Sequence, residues 1–323
     1  MPTPESPTLA SDLPAATPHG PTGVRGSSAD PLQLEPALCC LCGIEDVDPI
    51  GVGEDFEYRT CRDTFLAVRC RRCGMVYLNP RPAPSEHPRI YPDHYHAFDF
   101  RPEGWGIVYR VRRWLEARRA LRWCHGLPPT ARILDVGCGD GFHLKLLRDF
   151  GHPDWSLEGV ELDPRAVAAA ERSELKIHCG KVEDLDLPRD TYNLILLIMT
   201  IEHVSDPVRL VGALARLLAP GGRLIIVTDN ASSPDFHVFR GRHWGGYHFP
   251  RHFHLFTRAT LSRLAELVGL RVEHIVTPLS PVNWVYSVRN WIDDWGGPRW
   301  LVRCFSLSSV PALAWFTLWD FPL

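Results

Sequence analysis

The 323-residue sequence lacks the features of several protein classes. Its 35 lysines and arginines nearly balance its 38 aspartates and glutamates, so the net charge of −3 gives no reason to expect a nucleic acid partner. Ten cysteines are too few for a disulfide scaffold in a chain of this length. No secretory signal begins the chain, because residues 1–36 contain no apolar core segment. We therefore expect a cytoplasmic globular protein.

Long hydrophobic runs are absent before residue 300. The final stretch, CFSLSSVPALAWFTLWDFPL, approaches a spanning helix in length and scarcity of charge, but Pro311, several serines and Asp320 argue against that interpretation. We expect a buried or interfacial segment, and weak contact with a membrane surface is the less favoured alternative. Six tryptophans in the last forty residues are predicted to pack a helical addition, and they are Trp284, Trp291, Trp295, Trp300, Trp315 and Trp319.

Four of the cysteines form two C-x-x-C-G units, CCLCG at residues 39–43 and CRRCG at residues 70–74. The predicted metal ligands are Cys39, Cys42, Cys70 and Cys73. Each pair can chelate one ion from a tight turn, and four thiolates in tetrahedral geometry form a structural zinc site with no open position for chemistry. Cys40 is a rival to Cys39, but only Cys39 gives the same spacing as the second pair. Metal-ligand cysteines also fit a reducing compartment.

The middle of the chain alternates short apolar strands with amphipathic helices. The predicted strands are RILDV, SLEGVEL, LKIHCG, YNLILLIMT, RLIIVTD and RVEHIVTP, and the predicted helices are GFHLKLLRDF, PRAVAAAERS, PVRLVGALARLLA and TRATLSRLAELVG. This alternation predicts an α/β fold with a doubly wound, mostly parallel sheet covered on both faces.

A glycine-rich turn follows the first of these strands, in ILDVGCGDG. Phe142 stands where a dinucleotide fingerprint needs its last glycine, and the carboxylates of Asp135 and Asp140 would repel a pyrophosphate. Glu161, twenty residues after Gly141, can accept both hydroxyls of a ribose. The pattern therefore indicates an adenosine with a positively charged, amino-acid-like tail, which is S-adenosylmethionine.

Four motifs in order, ILDVGCGDG, GVELDP, VEDLDLP and IEHVSDP, resemble those of class I S-adenosylmethionine-dependent methyltransferases over about residues 131–277. The resemblance implies that the glycine turn binds the methionine portion, that Glu161 binds the ribose, and that Val182 and Glu183 lie beside the adenine. The full set of implied cofactor-binding residues is Asp135, Gly137, Cys138, Gly139, Gly141, Glu161, Leu162, Val182 and Glu183. Two departures are Lys181, where many relatives are acidic, and Tyr192–Asn193, which replaces an aromatic–Asp pair.

These features divide the chain into five predicted parts. They are a disordered leader at 1–36, a zinc ribbon at 37–80, a connector and helical lid at 81–130, the cofactor-binding domain at 131–280 and a Trp-rich helical segment at 281–323. Some sugar-modifying methyltransferases carry a similar four-cysteine ribbon, which implies a lid or platform on the substrate side. The oligomeric state is left open.

His203 is the predicted general base, because it follows the fourth strand at the carboxyl edge of the sheet and imidazole titrates near neutrality. The alternatives are that His203 only orders its loop, or that Glu202 and His203 hold a divalent ion, for which the sequence shows no convincing third ligand.

A histidine-rich segment, HVFRGRHWGGYHFPRHFHLFT at residues 237–257, follows the fifth strand. In it, His248, Arg251 and His252 are predicted to bind an anionic acceptor such as a nucleotide-sugar diphosphate. The alternative is a folded loop held by ring stacking and histidine hydrogen bonds.

The predicted function is methyl transfer to oxygen or carbon of a small-molecule acceptor, such as a sugar or glycan precursor. The rivals are a methyltransferase that recognises tRNA or protein through the ribbon, and a binding module that keeps the cofactor fold without catalysis.

Overall fold

The computed structural model describes residues 30–92, 95, 106–172, 174–277 and 281–305. Its strands are β1 (Leu34–Glu35), β2 (Val47–Gly53), β3 (Phe65–Cys70), β4 (Val76–Leu78), β5 (Arg81–Pro82), β6 (Arg132–Val136), β7 (Ser156–Glu161), β8 (Lys176–Cys179), β9 (Tyr192–Ile198), β10 (Leu218–Val227) and β11 (His254–Leu255). Its helices are α1 (His87–Ile90), α2 (Gly106–Trp123), α3 (Phe142–Phe150), α4 (Pro164–Glu171), α5 (Pro207–Leu217), α6 (Pro234–Phe239), α7 (Arg258–Leu267), α8 (Pro281–Asp294) and α9 (Arg299–Cys304).

The central sheet contains five strands in the order β10-β9-β6-β7-β8, and every neighbouring pair is parallel. The middle strands β6 and β9 are apolar along most of their length and almost completely buried. Helices that cover both faces of a parallel sheet produce this burial. The predicted α/β, doubly wound fold is therefore confirmed, and the carboxyl ends of β6, β7 and β9 lie along one edge.

A second, antiparallel sheet joins the cysteine-bearing segment to the rest of the chain. Its order is β11-β4-β3-β2, so a strand at residues 254–255 completes a sheet that begins at residue 47. One buried core also runs across both parts, with Cys39, Val68 and Tyr77 packed in the same cluster as Leu134 and Leu197. The ribbon is thus built onto the domain that carries the central sheet.

Two expectations about secondary structure differ from the structure. The strand predicted for RVEHIVTP is absent, because residues 271–277 carry no strand pairing and expose most of their side chains, including Val276 at 68%. An extended segment becomes a strand only when a partner offers its backbone. The leader predicted over 1–36 is described from residue 30, and there Leu34–Glu35 already pair with β5, ahead of the expected boundary.

The C-terminal helical addition is present as α8 and α9, but its tryptophans do not all pack. Trp284 contacts Phe239 edge to face, whereas Trp295 and Trp300 are 80% and 67% exposed. Trp315 and Trp319 lie outside the described residues. In the described part of the chain, no helix has the length and apolar character needed to cross a membrane.

Candidate active site

The glycine-rich turn leaves β6 in a backbone conformation that suits only glycine. Gly137, Gly139 and Gly141 have φ angles of 72°, 54° and 80°. A Cβ atom at Gly137 would collide with the side chain of Thr200, which follows β9. The turn is therefore held directly against the residues that lead to His203.

Glu161 lies against this turn from the end of β7. Its Oε2 accepts a hydrogen bond of 2.9 Å from the Gly139 N–H, and its Oε1 accepts from the N–H groups of Leu162 and Asp163 at 2.7 and 2.9 Å. The structure thus brings together the two motifs that the sequence assigned to the methionine portion and the ribose.

Asp135 places a carboxyl group beneath the turn. It is 1% exposed, and its Oδ2 atom is buried without a hydrogen-bond partner in the described residues. Burial, followed by the nearby charge of Glu161, raises the pKa of Asp135 to about 7. A cationic group bound here would favour the ionised form of this carboxyl.

The remaining predicted cofactor residues lie on the loops after β6, β7 and β8. Cys138 and Val182 are buried, Glu183 is half-buried, and Leu162 is 48% exposed. The turn, Glu161 and these loops all belong to the carboxyl edge of the sheet, where ligands of doubly wound folds bind. Their contacts with a cofactor stay predictions.

His203 ends a short 3₁₀ helix, Ile201–His203, directly after β9. Its Nδ1 atom lies 3.0 Å from the hydroxyl oxygen of Tyr91 and 3.2 Å from the main-chain oxygen of Arg251. The His252 ring stands edge to face, with its centroid 4.6 Å from that of His203. Tyr91 was not predicted, because its only sequence signal was a place in an aromatic, proline-rich connector.

Glu202 is completely buried beside His203. Burial, followed by the charge of Asp229, raises the pKa of Glu202 to about 8. Its Oε2 accepts a hydrogen bond of 2.9 Å from Thr228, and its Oε1 is buried without a partner in the described residues. Glu202, His203 and His252 each offer one ligand atom within 4.8 Å of the others. His252 is thus the third possible metal ligand, which the sequence did not show.

The three residues predicted to bind an anionic acceptor have partners inside the protein. Arg251 is fully buried in a bidentate ion pair with Asp55. The Nδ1 atom of His248 lies 2.7 Å from a carboxylate oxygen of Glu57, and the Nδ1 atom of His252 lies 2.8 Å from the Gly246 carbonyl oxygen. These contacts are of the kind that the alternative interpretation, a folded loop held by histidine hydrogen bonds, expects. Binding of an acceptor by these three residues stays a prediction.

The two C-x-x-C-G units lie close together, as their spacing predicts. Sγ distances are 3.4 Å for Cys39 to Cys73, 3.5 Å for Cys42 to Cys70 and 3.8 Å for Cys42 to Cys73, and all four Sγ atoms lie within 4.8 Å of one another. Cys40 is not a member of the cluster. Burial raises the pKa of Cys39, and it opposes ionisation of Cys70 too. At Cys70 the N–H groups of Cys73 and Arg72 outweigh burial and lower the thiol pKa. Four converging thiols suit one tetrahedral ion.

Comparison with known proteins gives a consistent picture. A family model described as a methyltransferase domain matches residues 108–275. The ubiquinone biosynthesis O-methyltransferase of a Bradyrhizobium species is 32% identical over 111 residues, which cover 32% of this chain and 42% of the relative. The enzyme of the same name from Thiobacillus denitrificans is 27% identical over 188 residues, with coverages of 52% and 78%. The match thus spans less than half the length of the first relative.

Two solved structures are also similar. An S-adenosylmethionine-dependent methyltransferase from Archaeoglobus fulgidus shows 18% identity and a TM-score of 0.41, covering 55% of this chain and 86% of its own. An amino pentose methyltransferase from Micromonospora echinaspora, with S-adenosylmethionine bound, shows 32% identity and a TM-score of 0.32, with coverages of 36% and 52%.

The matched region, residues 108–275 of the 323-residue chain, is more than half of the sequence and contains the glycine turn, Glu161 and His203. The chain therefore belongs to the methyltransferase-domain family.

Proposed function

We propose that this enzyme transfers the methyl group of S-adenosylmethionine to a hydroxyl oxygen of a small molecule, with His203 as general base. The observation that carries the proposal is the position of His203. It follows β9 at the ligand-binding edge of the sheet, two residues after Ile201 and three after Thr200, whose side chain touches the glycine turn. Its Nδ1 atom is anchored by Tyr91 and Arg251.

The chemistry asked of this chain is modest. The acceptor hydroxyl gives its proton to Nε2 of His203 while its oxygen attacks the methyl carbon, and the carbon–sulfur bond breaks to leave S-adenosylhomocysteine and a methyl ether. Positioning two reactants can remove on the order of 7–11 kcal/mol from a barrier. A base contributes a further factor of roughly a hundred to ten thousand.

The cofactor contacts follow from the same edge of the sheet. We assign the methionine portion to the turn from Gly137 to Gly141, with the Asp135 carboxyl facing its positive charge. Glu161 and the neighbouring Leu162 are assigned to the ribose, and Val182 with Glu183 to the adenine. The unpartnered Oδ2 atom of Asp135, buried beneath the glycine turn, supports this assignment.

The acceptor class rests on two observations. The curated relatives are named O-methyltransferases of ubiquinone biosynthesis, which favours a hydroxyl on a small organic molecule. A diphosphate acceptor such as a nucleotide sugar loses support, since Arg251 is buried and bound to Asp55. A sugar hydroxyl without phosphate still fits the proposal. Transfer to tRNA or protein is the rival, and it is an outcome of the experiment below.

The proposal is tested with isotope-labelled S-adenosylmethionine and a panel of phenols and sugars. We expect labelled methyl ethers, and we expect His203→Gln to lower kcat by roughly a hundredfold to ten-thousandfold while the affinity for S-adenosylhomocysteine stays the same. His125→Gln, at an exposed position, is the matched control. Full activity of His203→Gln would refute the base. Labelling of RNA or protein, with none of any small molecule, would refute the acceptor class.

A second mechanism is favoured by the trio of Glu202, His203 and His252, whose ligand atoms converge within 4.8 Å. One carboxylate and two imidazoles form a donor set that suits a divalent transition metal with open positions. A metal held there would lower the pKa of an acceptor hydroxyl. In that case kcat would rise with added Mn²⁺ or Zn²⁺ and Glu202→Gln would remove the effect, whereas a simple base requires neither.

We further propose that Cys39, Cys42, Cys70 and Cys73 bind one structural zinc ion. The convergence of four sulfur atoms and the absence of other donor types from the cluster support this assignment.

A further inference from the structure

Arg251, in the histidine-rich segment at residues 237–257, contacts His203 through its main-chain oxygen. Its guanidinium group forms a two-pronged pair with Asp55, at 3.0 Å from Nη1 to Oδ1 and 2.9 Å from Nη2 to Oδ2. Asp55 lies between β2 and β3, on the ribbon side of the molecule, 196 positions away in sequence. Both side chains are completely buried. This buried ion pair therefore links the ribbon to the methyltransferase domain.

The pair is fully satisfied by hydrogen bonds. Asp55 also accepts from the N–H groups of Tyr58 and Thr60, at 3.0 and 2.8 Å, and from the Thr60 hydroxyl at 2.7 Å. The Arg251 guanidinium lies over the ring of Tyr58, 4.5 Å from its centroid. A buried ion pair of this kind contributes little net stability compared with apolar packing, but it fixes direction, because a guanidinium fork accepts a carboxylate in few orientations.

Arg251 reaches His203 along two routes. Its own main-chain oxygen lies 3.2 Å from Nδ1 of His203. Its Nε atom donates a 2.6 Å hydrogen bond to the carbonyl of Ile90, the residue before Tyr91, and the Tyr91 hydroxyl lies 3.0 Å from the same Nδ1. In addition, the N–H of Phe253 donates to the carbonyl of Glu202 at 2.7 Å. Both neighbours of the His203 Nδ1 atom are therefore held by one buried arginine.

The contact with the Arg251 carbonyl favours one form of the imidazole ring. A carbonyl oxygen can only accept, so this 3.2 Å contact is a hydrogen bond when Nδ1 carries the proton, and the Tyr91 hydroxyl, which can donate or accept, then accepts from the same N–H. A neutral imidazole has one proton, and Nε2 is then the basic nitrogen. This is the form that a general base needs.

We propose that Asp55 and Arg251 are positioning residues, which hold His203 in its Nδ1-protonated form and so make the ribbon a working part of the active site. The inference rests on the proposed role of His203. In this proposal, Arg251 does not bind the acceptor directly but positions His203.

The variant Asp55→Asn tests the proposal, because it keeps the size of the side chain and removes its charge. Asp48→Asn is the matched control, since Asp48 lies on the same hairpin, is about half exposed and pairs with Arg71. We expect Asp55→Asn to lower kcat roughly 10- to 100-fold, with KM and the affinity for S-adenosylhomocysteine changed less than about twofold. We expect Asp55→Glu, which restores the charge, to recover part of the loss.

Nitrogen NMR of histidine-labelled protein supplies a readout that a merely structural role would not move. We expect the His203 ring, assigned with His203→Gln, to carry its proton on Nδ1 in the wild type and Asp48→Asn, and to show mixed forms in Asp55→Asn. Tyr91, His248 and His252, whose rings lie against the His203 ring, are unchanged by the variant.

The outcomes separate the two proposals. Full turnover in His203→Gln refutes the base itself. Loss of activity in His203→Gln, together with wild-type kcat and an unchanged ring in Asp55→Asn, refutes the positioning role alone. If Asp55→Asn fails to bind S-adenosylhomocysteine, Arg251→Lys serves in its place. It keeps the cation but cannot make the fork and the Ile90 contact together, and an unchanged ring and kcat there would equally overturn the inference.

Discussion

A single buried carboxyl, that of Asp135, dominates the charge at the proposed cofactor site. Asp135 sits beneath the glycine turn with one oxygen unpartnered, and burial raises its pKa to about 7. In the cofactor-free protein, ionisation of this buried carboxyl lowers the stability of the folded state. Because the folded state holds a proton that the unfolded chain releases above about pH 4, the contribution of Asp135 to stability falls as pH rises from there toward 7. A cation bound beside Asp135 would instead favour the ionised form of its carboxyl.

S-adenosylhomocysteine should therefore bind more tightly as pH rises through about 7. The ammonium group of the ligand interacts with the ionised carboxylate, whose fraction grows about tenfold between pH 6 and pH 8 for a pKa near 7. Titration calorimetry should show an affinity increase approaching that factor. Asp135→Asn should weaken binding at pH 8 by roughly 10- to 100-fold, as expected for a lost contact worth about 1.5–3 kcal/mol, and should flatten the pH dependence. Asp149→Asn, on the exposed end of α3, is the control. A wild-type affinity independent of pH would contradict the assignment.

Which site residues could be predicted depends on the range of the contacts that define them. The glycine turn and Glu161 belong to local strand–turn patterns, so the sequence identified them, and the structure brings them within 2.9 Å. Tyr91 and Asp55 could not be identified in this way. Their roles depend on contacts with residues 112 and 196 positions away, and no local pattern encodes such a pairing.

At the scale of elements, the same distinction holds. The five strands of the central sheet were predicted because continuous apolar runs between amphipathic helices are specific to buried parallel strands. The strand predicted at RVEHIVTP was wrong, since its β-branched residues found no partner strand. The two-residue strand β11 was missed, because so short an element is defined only by its pairing with β4.

The two C-x-x-C-G units give a prediction about metal content at this scale. Elemental analysis of the purified protein should find one zinc ion per chain. Cys70→Ser should lose it, because a hydroxyl replaces one of four thiolates, whereas Cys40→Ser should keep it, because Cys40 lies outside the cluster. Since Cys39 and Cys70 belong to the core that also contains Leu134 of the central sheet, Cys70→Ser should lower the melting temperature of the whole protein. A folded, metal-free wild type would end the zinc proposal.

At the scale of the whole molecule, the cysteine-bearing ribbon and the domain that carries the central sheet pack as one structural unit. They share the antiparallel sheet through β11, a common core and the Asp55–Arg251 pair. The division at residue 80 that the sequence suggested stays a prediction, and the Asp55–Arg251 pair crosses it. In the proposed mechanism, the active site draws on Asp55 of the ribbon, Tyr91 of the connector and Arg251 of the histidine-rich segment.

The structure of the complex with S-adenosylhomocysteine tests the central claim most directly. We predict that the ribose hydroxyls contact Glu161, that the amino group lies near Asp135, and that the sulfur atom faces the side of the sheet edge where His203 stands, with its Nε2 turned toward the acceptor space. A ligand bound elsewhere, or a sulfur atom on the far side of the glycine turn from His203, would contradict both the cofactor site and the role of the histidine.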